Sequence, residues 1–590
     1  MVSATQIVED FDTFGVTLQD AKLIEKCLDL CRAYGVDGEG IAACWISFAS
    51  NNGYDSLTPE GLDHFEREEL TKNKKTSIKK TENFQIYDAS TIDEIAGEDD
   101  NDLIVAYGGT PTPKQRSKRQ LTPDNNIVKR HVGPSRSISA QFSPASMSPS
   151  VVTTPSQKYS SRNNAGNTVS SFGEMKKENS KADMRNNLEM RVIPMGGDEI
   201  LSQVYKYMFE KVRDAADVLD DIITSLADQM ITDLNTEEYS QLTSPSNEAV
   251  CTVGRICCDS VGRLNFASVL LEGSREISGG SAVPLDLSHL SEFSLFPGQI
   301  VAVRGVNTTG NKLVVQELLP GKVLPLPDSP DIIKNATDAV QVVVASGPFT
   351  TTDNLLYEPL TDLLSVLKEN PPHMLILLGP LLDAAHPLVV ENQLAETHEA
   401  VVSRCLRIIT STFENSGTEV VLVPSSRDVC CPTVYPTPPY DVGNSLTSVS
   451  DPVLLDINGT VVALTATDIL FHLGKEEISF PPQGSDRLGR LARHILRQQS
   501  MYPLYPPPEG ISVDQEQADT NARLPCTPHL LILPSDLRYF VREIEGCVVI
   551  NPERLAKGVV GGTYARLEIR PATQEKCNVA ERVGVHIIKV

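Results

Sequence analysis

VQVVVASGPF (340–349) and HMLILLGPLLD (373–383) decide how this chain is read. Each is a short, almost unbroken run of aliphatic residues that stops at a Gly-Pro pair, the pattern of a strand covered on both faces and ended by a turn. In an α/β domain, ligands and metals gather in the loops at the C-terminal ends of such strands. Here those loops read Ser346-Gly347-Pro348-Phe349 and Gly379-Pro380-Leu381-Leu382-Asp383. Hydrolysis by a two-metal centre requires several Asp, His and Asn side chains brought together, because hard oxygen and imidazole donors fix such ions. Prolines cannot do this.

The alternation continues downstream. TVVALTAT (460–467), HLLILP (529–534), GCVVIN (546–551), GTYARLEI (562–569) and GVHIIKV (584–590) read as further strands, and TDLLSVLKE (361–369) and AETHEAVVSRCLRIITSTFE (395–414) as helices. An α/β sandwich is therefore expected over 338–590. The helix SDRLGRLARHILRQQ (485–499) sets Leu488, Leu491 and Ile495 against Arg490, Arg493 and Arg497, a basic face that reads as solvated. The proline-rich runs PTVYPTPPY (432–440) and YPLYPPP (502–508) read as surface excursions. After each strand there is at most one metal donor, namely Asp383, Asp428, Asp468 or Asp536, and isolated carboxylates hold a divalent ion weakly. Phosphate-loop, dinucleotide and nucleophile-elbow motifs are missing from the sequence, so a non-enzyme without metal or other cofactor is expected.

Upstream, residues 245–325 carry short strands separated by Gly-rich turns and read as a small oligonucleotide-binding-type (OB) barrel. Between Ala249 and Pro320 the aromatics are Phe266, Phe293 and Phe296, and 5 Lys+Arg face 6 Asp+Glu. Stacking and phosphate neutralisation are poorly provided for, so little or no direct nucleic-acid binding is expected. Residues 198–235 carry apolar side chains at helical spacing and read as a helical segment packing on the body, one long helix or a broken pair. Residues 74–190 lose all periodicity to Ser, Thr, Pro, Asn and Lys, the composition of a disordered tether. From Leu103 to Met190 it is basic, with 13 Lys+Arg against 5 Asp+Glu. Thr110, Thr112, Thr122, Ser143, Ser148 and Thr154 each precede a proline and are candidate phosphorylation sites, and Lys114, Arg116, Lys118 and Arg119 form a candidate nuclear import signal. Residues 1–73 read as a small helical domain with Leu23, Cys27, Leu30 and Tyr34 on one apolar face.

Composition sets the outer bounds. At 590 residues the chain exceeds one core, and no run reaches the roughly 20 apolar residues of a membrane span. The first residues lack a basic and apolar leader, so a cytosolic or nuclear location is expected. A net charge of −25 argues against a general nucleic-acid binder. The 12 cysteines form no C-x-x-C and read as reduced core residues.

Four stretches, LFPGQIVAVRGVN (295–307), LILLGPLLDAAHP (375–387), QGSDRLGRLARHILRQQSMYPLYPPP (483–508) and LILPSDLRYFVREIEGCVVINPERLAKGVVGGTYARL (531–567), together with the domain order, resemble the accessory B subunits of DNA polymerase alpha–primase. The resemblance implies a multidomain α+β protein whose α/β sandwich is a catalytically inactive calcineurin-like phosphoesterase. Active relatives open with Asp-x-His, where Ser346 and Pro348 stand. Their Gly-Asp-x-x-Asp loop becomes Gly379 to Asp383 with Pro380 in place of the bridging carboxylate. Their Gly-Asn-His-Asp loop becomes Ser425-Ser426-Arg427-Asp428, and Gly-His-x-His becomes Pro534-Ser535-Asp536-Leu537. The resemblance also implies a nuclear scaffold for the C-terminal, zinc-bearing region of the polymerase catalytic subunit. The two primase subunits would join through that catalytic chain, and other replication factors through the N-terminal module. The alternatives are single-strand DNA binding by the barrel and a residual metal-dependent phosphodiesterase using Asp383 and Asp428.

Overall fold

The computed structural model describes residues 155–175, 192–195 and most of 201–590, with short gaps of which 328–338 is the longest, and single positions within 1–48. The chain divides into two compact units, Met1–Gln85 and Ile86–Val590. In the first, every described position is helical, and Ile7, Cys27, Ile41, Trp45 and Phe48 are buried. Cys27 thus sits in a core, while Cys31 lies outside the described residues, as do the six proline-directed sites and the basic run 114–119.

The second unit is built on the two strands that opened the reading. Val340–Ser346 is the central strand of a seven-stranded sheet ordered Thr168–Phe172, Val583–Lys589, Thr563–Ile569, Val340–Ser346, Met374–Leu378, Glu419–Val423, Thr447–Ser448. Met374–Leu378 pairs parallel with it, Met374 opposite Val342 and Leu378 opposite Ser346. A six-stranded sheet faces it, ordered Phe540–Ile544, Cys547–Asn551, Leu530–Ile532, Thr460–Leu464, Val453–Ile457, Val192–Pro194. Because side chains alternate along a strand, each sheet serves two cores. Val342, Val344, Ile376 and Val421 meet Leu455, Val462, Ile532 and Ile550 between the sheets. Val343, Ala345, Leu375 and Leu422 turn outward onto helices Glu358–Glu369 and His398–Phe413. On the far side, Leu454, Ala463, Leu531 and Val549 pack against Ile469–Glu476 and Arg487–Arg497. The result is a helix–sheet–sheet–helix sandwich.

The upstream strands close into a five-stranded barrel, Val250–Cys258, Val269–Glu272, Ala282–Asp286, Leu313–Leu319 and Ile300–Val306. Helix Val212–Met230 lays Ile223, Leu226, Ala227 and Met230 on Val253, Ile300 and Ala302. Phe293–Leu295 pairs antiparallel with Ile478–Phe480 of the sandwich, joining the two folds.

Three expectations need correction. The tether expected through 190 is interrupted, because 155–175 forms a helical turn and a strand on the edge of the seven-stranded sheet; beyond its expected end, Val192–Pro194 pairs with Val453–Ile457. Unsatisfied edge strands recruit extended segments whatever their composition, through backbone hydrogen bonds. The helix expected from 198 begins at Val212, and the described residues of 201–210 are non-helical. Tertiary hydrogen bonds override helix propensity there: Tyr205 donates to the Pro436 carbonyl at 2.8 Å, and the Glu210 carboxylate accepts from the amides of Gln515 and Glu516 at 3.2 and 3.0 Å. The two proline-rich runs are not simple surface excursions. Tyr435 is fully buried, Met501, Tyr502 and Leu504 join the core, and Val434–Tyr435 pairs with Ser512–Val513.

Candidate functional site

The loops at the C-terminal strand ends converge, as the α/β pattern demands. The first two touch so closely that a Cβ on Gly347 would lie 2.2 Å from the Pro380 carbonyl oxygen, which excludes a side chain there. Pro348 is buried at the same contact, and its carbonyl accepts from the Ala556 amide at 3.2 Å.

What meets at the centre is a set of ion pairs. Ser346 is fully buried, and its hydroxyl accepts from Arg554 Nη1 at 2.9 Å. Arg554 donates from Nε to Asp536 Oδ1 at 2.9 Å and from Nη2 to Asp468 Oδ2 at 3.3 Å. With 2% of its side chain exposed, this guanidinium ties three loops together. Asp468 also caps helix Ile469–Glu476 through Oδ1, and its Oδ2 accepts from the Asp536 amide at 2.7 Å. Asp383, 1% exposed, pairs with the Arg427 guanidinium. Burial opposes the charge on Arg427, but Asp383, Asp536 and Asp468 outweigh it and hold the guanidinium well above its ordinary value. For Asp536, burial acts upward and the Arg554 and Arg427 cations act downward, with the cations prevailing.

Asp428 lies in the loop beside Asp383, forming an isolated β-bridge with it, yet its carboxylate is turned to other partners. It accepts from the amides of Leu381, Leu382 and Cys430 at 2.5, 3.2 and 3.1 Å and from the Tyr440 hydroxyl at 3.0 Å. Burial pushes its pKa up despite these donors. It therefore works as a turn-former. Ser426 is half-buried beside it. Ser535 is fully buried, held by its amide to Asn551 Oδ1 at 3.0 Å while its hydroxyl accepts from the Leu537 amide at 3.1 Å. The structure thus places Ser346, Pro348, Pro380, Asp383, Arg427, Asp428 and Ser535 around one set of strand ends, and the carboxylates face guanidinium and amide donors. Among the described residues, no three His, Cys, Asp or Glu come together in a way that could hold a metal.

Sequence reasoning missed Arg554 as a member of this site. It follows strand Cys547–Asn551 outside the four strand-end loops compared with the metal-site motifs, and beside Asp536, 18 residues away, its partners Ser346 and Asp468 lie 208 and 86 residues away in the chain.

The other surfaces singled out in the sequence are also committed internally. Phe266 packs against Phe293 (ring centroids 5.5 Å apart) and Phe293 against Phe480 (6.1 Å), while Phe296 lies 4.9 Å from the His494 ring. Arg490 pairs with Glu477 inside the body, and Arg493 and Arg497, 42% and 33% exposed, share Glu545 at the surface, so the basic face of helix Arg487–Arg497 is only partly solvated and partly paired. Among the described residues, no helix is long and apolar enough to cross a membrane.

Comparison with known proteins adds the family. Residues 342–542 match the model of the DNA polymerase alpha/epsilon B subunit, 216–321 that of the OB domain of the DNA polymerase alpha B subunit, and 5–72 that of the N-terminal region of the same B subunit. The chain is 40% identical to the DNA polymerase alpha B subunit of Rattus norvegicus over 96% of each chain. It is 30% identical to that of Drosophila melanogaster over 99% of this chain and 100% of the relative. The Schizosaccharomyces pombe protein of the same name is 32% identical over 62% of this chain. Three models in the same order and matches of this extent place the chain in the family of DNA polymerase alpha B subunits.

Proposed function

We propose that the protein is a non-catalytic accessory subunit of DNA polymerase alpha, acting in the nucleus during initiation of replication and primer synthesis. The observation that carries this reading is the likeness to polymerase alpha B subunits over 96% of the chain. The sandwich and barrel together form the scaffold that holds the C-terminal region of the catalytic subunit, and the two primase subunits are joined through that catalytic chain. The helical N-terminal module recruits other replication factors on its tether, where the proline-directed sites and the basic run 114–119 serve regulation and import. The sandwich is a phosphoesterase-type fold without turnover. Supporting this, Arg427 and Arg554 set guanidinium charge where a hydrolase would set metal ions, so Asp383, Asp468 and Asp536 are already compensated. The packing of Phe266, Phe293 and Phe296 into the interior likewise favours a structural barrel over one that stacks bases.

The test is co-purification. Co-expressed with the polymerase catalytic subunit, the chain is expected to elute with it as a stoichiometric complex that survives moderate salt. Elution as a separate species at micromolar concentration would overturn the assignment. Binding of single-stranded oligonucleotide by the chain alone at low salt would favour the barrel as a DNA-binding site instead.

A further inference from the structure

Residues 155–175 lie inside the stretch whose composition predicts a tether, yet they are built onto the body at a defined place. Ser156 caps the short helix Gln157–Ser160, and its own amide donates to Glu358 Oε2 at 2.9 Å. This turn drives Tyr159 inward until its ring is 1% exposed, with its hydroxyl donating to Asp362 Oδ2 at 2.9 Å. The Arg162 guanidinium covers the ring 3.7 Å from its centroid, pairs with Asp362, and donates from Nε to the Val590 carbonyl at 2.9 Å. Thr168–Phe172 then adds antiparallel to Val583–Lys589, and the Gly166 amide donates to the Lys589 carbonyl at 2.9 Å.

We propose that residues 156–172 are a detachable clasp that moors the tether to the rim of the seven-stranded sheet, fixing the point from which the N-terminal helical unit searches for partners. The mooring role rests on the reading of 74–154 as a flexible tether; the clasp itself does not. Detachment is local by construction. Tyr159 is the one large apolar side chain it buries fully, Val169 and Phe172 are only partly covered, and Asp362 keeps 47% of its side chain exposed. Strand Val583–Lys589 stays paired along its other edge with Thr563–Ile569 over seven residues. Opening the clasp therefore costs a fraction of the global unfolding free energy. Mooring shortens the free chain from 118 residues (74–191) to 81 (74–154). For a flexible coil that reduces the root-mean-square span from about 60 to about 50 Å. The effective concentration near the mooring rises about 1.8-fold.

Gly584 offers a selective lever. A Cβ there would lie 2.5 Å from the Glu174 carbonyl oxygen and 2.6 Å from Met175 Cγ, both just beyond the clasp strand. Gly584→Ala should thus push the segment away, and Asp362→Arg should do so by charge. The experiment is amide hydrogen exchange on the whole chain. Either variant is expected to speed exchange of 168–172 at least tenfold while barrel amides 250–258 stay protected, and Arg162→Asp combined with Asp362→Arg should restore protection. Unchanged protection in both single variants, or loss of barrel protection along with 168–172, would overturn the clasp. Donor and acceptor labels on the N-terminal unit and the sandwich give the second readout, with a longer and broader distance distribution expected in Gly584→Ala. Faster exchange without that change would overturn the mooring role and place the fault in the tether reading.

Discussion

A single arginine shows what holds the strand-end cluster together. Arg554 donates to Ser346, Asp468 and Asp536 from three different loops, and Asp468 is 7% exposed. Removing one partner of a buried charge set leaves the other uncompensated, which costs about 3–5 kcal/mol, more than the set contributes relative to apolar residues of equal size. Here Asp536 is 42% exposed and Asp468 keeps the amides of Phe471 and Asp536, so Arg554→Met, which keeps most of the volume, is expected to lower the unfolding free energy by about 1–3 kcal/mol in urea denaturation followed by circular dichroism. A loss under about 1 kcal/mol would show that water already serves the carboxylates. The loop positions of this cluster were legible in the sequence because strand ends are marked by Gly-Pro and by the family motifs they replace. Arg554 was not, since an arginine carries no periodic signal and acquires its role only when residues as far as 208 positions away fold beside it.

Among the elements, the decisive contact joins barrel to sandwich. Strand Ile478–Phe480 pairs with Phe293–Leu295, and directly before it Glu477, 2% exposed, accepts from Arg490 Nε at 2.7 Å and Nη2 at 2.9 Å, from the Ser294 hydroxyl at 2.5 Å, and lies 3.1 Å from His494 Nε2. Burial alone would push this carboxyl up, but the hydrogen bonds from Arg490 and His494 prevail and hold it at about 2, below its ordinary 4.5. A depressed carboxyl stabilises the fold fully above its unfolded pKa and loses that contribution as pH falls through the folded value. The window here runs from 4.5 down to about 2. On the order of 3 kcal/mol is at stake. Glu477→Gln is expected to destabilise the body at pH 7 by about 3–5 kcal/mol, because the buried ion pair loses its carboxylate while the Arg490 charge stays in place, and to flatten the acid limb of the stability curve across that window. An unchanged acid limb would assign it to other carboxylates. The helix carrying Arg490 was legible from its period and its cap, but its basic face was read as solvated. Acceptors such as Glu477 and Glu545 come from separate elements, so spacing within one helix cannot reveal them.

At the scale of the molecule, hydrophobic patterning located the sandwich because its strands are near-continuous apolar runs buried on both faces, and the barrel because its short apolar runs are punctuated by Gly-rich turns. It failed where order comes from edge pairing and not from burial. Thr168–Phe172, with Val169 and Phe172 only partly covered, is too polar to announce itself, and its partner strand lies some four hundred residues downstream. The same reasoning bounds what modification of the tether can do. Thr110, Thr112, Thr122, Ser143, Ser148 and Thr154 all precede the clasp in a stretch with little apolar content, and the tether reading proposed for it implies that charges placed there leave the body's core undisturbed. Replacing all six by glutamate is expected to leave the melting temperature of the body within about 1 °C of the unmodified chain. A loss of even 1 kcal/mol in the sandwich, a domain of about 250 residues, would move its melting temperature by about 2–4 °C, well within reach of calorimetry. A shift of several degrees would mean that part of 103–154 packs on the body, and the slack assigned to the tether would shrink accordingly.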